Sequence, residues 1–206
     1  MPESRKLPPS AQHIQEAATH IQNGGIVAYP TETVYGLGVD PRNEDALEAL
    51  FALKGRPPDR PALLLIHTRN DLHDLASSIP DAAYDLMDRF WPGPLTLLLP
   101  ARSGLSPYIT SGADTVAVRQ ASPGVAHDLV ALTHGPITST SANRTGAPPA
   151  LSGTEAAQQF LEDNVLVLDG QCEPEALPST LVDTTSTELV VIRTGTISES
   201  EILRKK

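Results

Sequence analysis

Gly24-Gly25-Ile26-Val27-Ala28-Tyr29-Pro30-Thr31-Glu32-Thr33-Val34-Tyr35-Gly36-Leu37-Gly38 is the stretch on which the reading of this chain turns. The paired glycines supply the left-handed stop that ends a preceding helix. Ile26–Tyr29 is then an unbroken apolar run closed by Pro30, the pattern of a strand buried on both faces. The polar residues that follow lie just beyond a strand end, where sheets present functional loops. Thr31 and Thr33 offer hydroxyls, and Gly36 and Gly38 allow a tight turn or the close approach of a ligand. Ordinary turn chemistry accounts for the same residues equally well.

Working outward, residues 10–22 carry Ile14, Ala17, Ala18 and Ile21 at helical spacing. A second helix fits residues 44–53, with Asn43 as its N-cap. Residues 63–66 read as another buried strand, and short helices are expected over 71–76 and 81–90. Residues 95–99 form a continuous apolar run, read as a central strand, and 115–118 a β-branched one. Ser122-Pro123 reads as an N-cap followed by proline at the first helical position, opening a helix to Leu132. Residues 136–140 read as a short strand, and Ser152-Gly153-Thr154-Glu155 opens a helix to Phe160. Residues 165–168, 181–182 and 190–192 close the set as strands, and Ser198 with Glu201 caps a last helix. Intermixed strands and helices predict an α/β fold with helices packed on a sheet.

The 206 residues, 40% hydrophobic and 19% charged, suit one soluble globular domain. Residues 1–9 read as a loose lead-in, because Pro8-Pro9 blocks regular structure, and 10–206 as the domain proper. Fifteen Lys+Arg against 25 Asp+Glu give a formal net charge of -10, which disfavours tight nonspecific nucleic-acid binding. A local basic pocket for a small anion remains compatible with that total. Cys172 is the only cysteine, so neither an intrachain disulfide nor a cysteine-built metal site is expected. The opening residues lack an apolar leader and no apolar run approaches the roughly 18 residues of a membrane span, so no membrane partner and a cytoplasmic location are expected.

Two further polar clusters follow buried segments. Lys54-Gly55-Arg56-Pro57-Pro58-Asp59-Arg60-Pro61 gathers three cations at a helix end in a chain poor in them. A compact ammonium and planar guanidinium forks suit a polyphosphate, although cations there also complement the helix dipole. Thr138-Ser139-Thr140-Ser141-Ala142-Asn143-Arg144-Thr145-Gly146 sets four hydroxyls, an amide and an arginine after a short strand. Such a loop can offer several donors to an oxyanion or phosphate, which a plain Ser/Thr turn explains only in part.

Read along the chain, these clusters resemble the YrdC-like family, whose bacterial members make threonylcarbamoyl-AMP for tRNA modification. The resemblance runs from Gly24 to Val191-Ile192-Arg193-Thr194-Gly195. Between them, in the family's order, stand Lys54-Gly55-Arg56-Pro57, Trp91-Pro92-Gly93-Pro94-Leu95-Thr96, Asp114-Thr115-Val116-Ala117-Val118-Arg119 and Ser141-Ala142-Asn143.

The resemblance implies a single-domain twisted mixed sheet with flanking helices around a concave basic cavity. It also implies a nucleotidyltransferase that takes ATP, L-threonine and bicarbonate with Mg²⁺, and a downstream tRNA threonylcarbamoyl transferase that accepts the product. A weak direct contact with tRNA stays open. By motif, Lys54, Arg56, Thr115, Ser141, Asn143 and Arg193 hold ATP, with Arg144 and Pro149 flanking, and Lys54, Arg56, Ser141 and Asn143 serve catalysis. Thr31, Arg119, Ser139 and Ser179 surround threonine and its carbamate, Arg119 matched to a carboxylate. Mg²⁺ binds through ATP phosphates and water, with no protein cage. Glu32 reads as a solvated or capping carboxylate, with support of the site from behind as the alternative, Trp91 as a packing residue, and Cys172 is given no chemistry.

The chain departs from the family pattern in two places. Relatives with an extra C-terminal domain often carry a histidine where Leu64 or Leu65 stands here, which leaves His67, one or two positions beyond, as a strand-end residue or a weak threonine contact. Thr140 occupies the place before Ser141-Ala142-Asn143 that is often proline. The chain is expected to act without the additional domain. Two rival readings are an RNA-binding module and a nucleotide-binding regulator without turnover.

Overall fold

Arg5–Leu7, expected in a loose lead-in, instead forms strand β1, paired in parallel with Leu166, Val167 and Leu168. Leu7 is buried, and ion pairs of Arg5 with Glu16 (2.6 Å) and Lys6 with Asp169 (3.2 Å) fasten the segment before Pro8-Pro9 ends it. The computed structural model describes residues 5–57 and 59–204. Helix α1 (Ala11–Gln22) begins where the Ser10 side chain accepts from the His13 backbone N–H, and it buries Ile14, Ala17, Ala18 and Ile21. Asn23 caps it and Gly24 takes φ 83°, so the left-handed stop stands where it was expected.

Strands β2 (Ile26–Tyr29) and β3 (Gly36–Gly38) pair antiparallel across the Thr31–Glu32–Thr33 turn. β3 was read as loop because it carries two glycines. A Cβ on Gly36 would lie 3.0 Å from both Ser139 Oγ and Tyr29 Cζ, so any larger residue there requires a neighbour to shift. Helix α2 (Glu44–Lys54) is capped by Asn43 and ends at left-handed Gly55. β4 (Leu64–Ile66) is followed by a 3-10 turn (Arg69–Asp74), then α3 (Asp81–Phe90), β5 (Leu95–Pro100), the short α4 (Pro107–Thr110) and β6 (Thr115–Gln120). Helix α5 (Val125–Thr133) starts behind Gly124, which has φ 146° and no side-chain cap, so the cap expected at Ser122 is not used.

β7 (Ile137–Thr138) and β8 (Thr140–Ser141) occupy the single strand expected there, but they enter different sheets. The chain completes itself with α6 (Gly153–Gln159), β9 (Val165–Leu168), β10 (Thr180–Asp183), β11 (Val190–Arg193) and α7 (Glu199–Leu203). Two mixed sheets result where one was expected: β1-β9-β2-β3-β8, and β11-β10-β5-β6-β4-β7. Ser139, between β7 and β8, is the residue at which the chain passes from one to the other.

The first sheet is buried on both sides. Ile26 and Ala28 join the larger core, while Val27 and Tyr29 join a smaller one under α1 and α5. That is why β2 shows no polar alternation. The second sheet differs. On β5, Leu95, Leu97 and Leu99 enter the core, whereas Thr96 and Leu98 face the other way and line a cavity. Among the described residues no helix is long and apolar enough to cross a membrane.

Candidate active site

The cavity holds about 690 Å³ and is walled by β5, β6, β10 and β11, with the Thr33–Gly36 loop and Ser139–Ser141 on the facing side. Its lining brings Arg56, Arg60, Arg119 and Arg193 together, and Asp59 is the one carboxylate among its described residues. In a chain of net charge -10 this is a local inversion of sign. Neither Arg56 nor Arg193 has a carboxylate within ion-pair distance among the described residues. Burial lowers the Arg56 pKa, assisted by repulsion from Arg60 and Arg193, and burial with Arg119 does the same to Arg193. Gathered cations that destabilise one another are complementary to a multiply charged anion.

Each guanidinium is aimed by backbone acceptors. Arg56 Nε donates to the Arg60 carbonyl and Nη2 to that of Pro61, both at 2.8 Å. These bonds curl the loop after α2 around the side chain. Arg193 donates from Nε (3.2 Å) and Nη2 (2.9 Å) to the Ser179 carbonyl, and from Nη2 to Ser179 Oγ at 3.2 Å. A bulge helps here. Leu181 pairs with Arg193 but Val182 with Val191, so Ile192 is the extra residue and both Ile192 and Arg193 reach the cavity.

Arg119 is only 3% exposed. Its Nη1 donates to Thr33 Oγ1 at 3.0 Å and stands 3.6 Å from Glu32 Oε1, while its Nε is buried without a hydrogen-bond partner. A buried guanidinium with an unused donor beside a cavity suits a carboxylate ligand. Thr31 Oγ1 donates to the Val34 carbonyl at 2.7 Å, so the 2.8 Å bond to Thr33 takes the Thr33 proton, and Thr33 in turn accepts from Arg119. Thr31 thus lies one hydroxyl behind the wall, and Thr33 stands at it. Glu32 is the counter-charge beside Arg119, which favours the supporting role over the solvated or capping one.

The Ser141–Asn143 loop is self-closed. Ser141 Oγ donates to Asn143 Oδ1 at 2.6 Å, and Asn143 Nδ2 donates to the Arg144 and Ala147 carbonyls at 2.9 and 2.8 Å. Lys54, 3% exposed, lies beneath this loop and off the lining. Its Nζ donates to the carbonyls of Ser141 and, at 2.8 Å, Asn143. Burial, then the charge of Arg56, lowers the Lys54 pKa from 10.5 to about 7. Arg144 turns away from the cavity, bonding the Leu53 carbonyl at 2.7 Å and Asp163 at 2.6 Å.

Of the residues expected around ATP, then, Arg56, Thr115, Ser141 and Arg193 line the cavity together with Pro149, while Lys54, Asn143 and Arg144 support it from behind. Of those expected around threonine, Arg119, Ser139 and Ser179 line it, and Thr31 does not. Thr96, Thr33 and Arg60 complete the wall. Thr96 had a signal, a lone hydroxyl in an apolar strand, and Arg60 sat unassigned in the basic cluster. His67 lies off the cavity at the end of β4, its ring 4.4 Å from that of His127. Trp91 packs as expected, 6% exposed with its indole N–H on the Leu95 carbonyl, and Cys172 is buried beneath the Thr31 carbonyl. Among the described residues no three His, Cys, Asp or Glu side chains converge as metal ligands. With Asp59 alone in the lining, a divalent cation here would take its ligands chiefly from phosphates and water.

The chain is 41% identical over 189 residues to a Pyrococcus abyssi protein named threonylcarbamoyl-AMP synthase, covering 92% of this chain but 56% of that one. It therefore spans little more than half of that relative. A Pseudomonas putida protein of the same name is 39% identical over 181 residues, covering 88% of this chain and 97% of its own. The crystal structure of P. abyssi Sua5 complexed with L-threonine superposes with a TM-score of 0.87 at 39% identity, over 94% of this chain and 57% of that one. The Sua5_yciO_yrdC family, described as "Telomere recombination", matches residues 19–195, and the chain belongs to that family.

Proposed function

We propose that this chain is a threonylcarbamoyl-AMP synthase, joining L-threonine, bicarbonate-derived carbon dioxide and ATP to give threonylcarbamoyl-AMP and pyrophosphate. The observation that carries the reading is the gathering of Arg56, Arg60, Arg119 and Arg193 on one cavity with Asp59 as the only carboxylate of its described lining. The reaction must assemble a carboxylate, a carbamate and a triphosphate, which repel one another. Fixed guanidinium groups in a recessed site offset that repulsion without reorganising during the reaction.

Arg119 binds the threonine carboxylate through its unused Nε, with Thr33 and Glu32 fixing the side chain. Ser139 and Ser179 border the amino group that becomes the carbamate. Arg56, Arg60 and Arg193 hold the phosphates, and Thr115 and Ser141 supply hydroxyls at the nucleotide. Lys54, Asn143 and Arg144 act at one remove, by holding the Ser141 loop. Mg²⁺ enters with ATP as part of the substrate and neutralises phosphate charge. The threonine amine adds to carbon dioxide and loses a proton. A carbamate oxygen then forms a bond to the α-phosphorus as the bond to pyrophosphate breaks, so positioning carries the catalysis.

The domain, β1 included, would carry this activity in the cytoplasm, and a tRNA threonylcarbamoyl transferase would consume the labile product. Carbon-13 bicarbonate tests the reading. A product carrying that label in the threonylcarbamoyl-AMP mass supports it, and an adenylate formed without the label contradicts it.

A further inference from the structure

Thr180 is fully buried on β10, turned away from the cavity that its neighbours Ser179 and Leu181 line. Its hydroxyl nevertheless reaches the segment that follows Arg193. Thr180 Oγ1 donates to the Ile197 carbonyl at 2.6 Å and accepts the Gly195 and Ile197 backbone N–H groups, both at 3.0 Å. Its proton and both lone pairs are thereby used. Alongside, the Thr196 N–H donates to the Pro178 carbonyl at 3.1 Å. The two stretches lie so close that a Cβ on Gly195 would run into the Pro178 carbonyl and stand 2.8 Å from the Thr180 nitrogen.

This tie sits where the sheet is weakest. Among the described residues β11 is an edge strand, paired with β10 alone and interrupted by the bulge, with Val190 and Ile192 half-exposed. Such a strand opens readily unless something fastens it. Arg193, at its end, is repelled by Arg119. Its guanidinium is bonded to the Ser179 carbonyl and hydroxyl, on the residue before Thr180. Ser179 and Thr180, on opposite faces of β10, therefore grip one short segment, the first by the Arg193 side chain and the second by the backbone just beyond it.

We propose that Thr180 is a positioning residue, whose hydroxyl fixes the chain beyond β11 so that Arg193 keeps its place at the phosphates. The inference rests on the functional reading above, which puts the ATP phosphates at Arg193. Thr180→Val keeps the shape of the side chain but takes the acceptor from two N–H groups and the donor from a carbonyl. The end of β11 is then free to yield to the repulsion.

The test is calorimetric titration of ATP into wild type, Thr180→Val, Thr180→Ser, Arg193→Ala and the Thr180→Val/Arg193→Ala double variant. Thr180→Val should weaken ATP binding about tenfold, the lower end for a hydrogen bond to a charged group, and Thr180→Ser should restore it. In the Arg193→Ala background the same change should cost about twofold or less, because the group it positions is gone. A hydroxyl that only stabilises the fold would lower Tm and leave ATP affinity unchanged. A second measurement needs no variant. By linkage, ATP held on Arg193 steadies the tie, so saturating ATP should slow exchange of the Gly195 and Ile197 amides in wild type by about tenfold. Equal losses in the two backgrounds, no loss in either, or amide exchange indifferent to ATP would overturn the role of Thr180 and leave the functional reading standing. Failure of the wild type to bind ATP would overturn both.

Discussion

Lys54 Nζ donates to the Asn143 carbonyl at 2.8 Å and also to that of Ser141, while the Thr145 backbone N–H returns a 2.8 Å bond to the Lys54 carbonyl. With Arg144 bonded to the Leu53 carbonyl, the end of α2 and the loop after β8 are stapled into one unit. Arg56 emerges from this unit on one side and Ser141 on the other, so the spacing of the basic and hydroxyl clusters along the chain becomes a shared cavity wall.

Lys54→Met keeps the length and apolar stem of the side chain but takes the Lys54 donor from the Asn143 carbonyl and leaves the Ser141 carbonyl with the Asn143 N–H alone. It should lower stability by about 2 kcal/mol. For a chain of this size that is a Tm lower by roughly 4–8 °C. The affinity for ATP should fall with it, because Ser141 loses its support. Thermal unfolding and ATP titration check this, and an unchanged Tm would show that the staple contributes nothing.

The buried Lys54 also predicts a pH dependence. Its pKa is near 7 in the folded chain and near 10.5 when unfolded. Between those values the unfolded chain binds a proton that the folded chain does not, so this group makes unfolding free energy rise with pH. Below about 7 both states are protonated and the contribution is gone. Denaturant unfolding from pH 7 to 9 should show the rise in wild type and a flatter profile in Lys54→Met. Parallel profiles would contradict it.

Arg119→Gln removes the charge proposed to bind the threonine carboxylate and leaves Glu32 without its counter-charge. Threonine KM should rise by about 10–100-fold, the range for a hydrogen bond between charged groups. The KM for ATP should change much less. A variant that lost ATP affinity and kept its threonine KM would reverse the assignment of the two ends of the cavity.

Gly36→Ala tests the close approach of β3 to the sheet crossing. The added Cβ would meet Ser139 Oγ and the Tyr29 ring at 3.0 Å, tighter than ordinary contact. Because the Tyr29 ring is buried and its hydroxyl is bonded to the Thr138 carbonyl, Ser139 is the group that yields. Threonine KM should rise several-fold with a smaller change for ATP, measured in the same steady-state assay. Equal values for wild type and variant would show that Ser139 does not depend on Gly36.

Much of the frame was readable because its signals are local. Asn43 caps the helix expected of it, and Gly24 takes the left-handed conformation expected after α1. The apolar runs 26–29, 64–66 and 165–168 are strands. Signals that depend on distant partners were not readable. β1 exists because β9 offers it an edge, and β3 because Tyr29 and Ser139 leave space for glycine. The run 136–140 has the composition of one strand, and only the packing of two sheets divides it at Ser139.

The site divides in the same manner. Motif order pointed to loops that meet at one cavity, but it did not separate residues at the wall from those one bond behind it. Asn143 and Arg144 are consumed by loop closure, and Thr31 passes its role to Thr33 through a hydroxyl pair. The bulge that brings Ile192 and Arg193 to one face has no mark in the sequence.

The most direct test of the central claim is pyrophosphate release by the purified chain with ATP, Mg²⁺, bicarbonate and L-threonine, each of ATP, bicarbonate and threonine omitted in turn. The account predicts release that requires all three and that is lost in Arg56→Ala and Arg193→Ala. Nucleotide binding without pyrophosphate release, or release indifferent to threonine and bicarbonate, would contradict it.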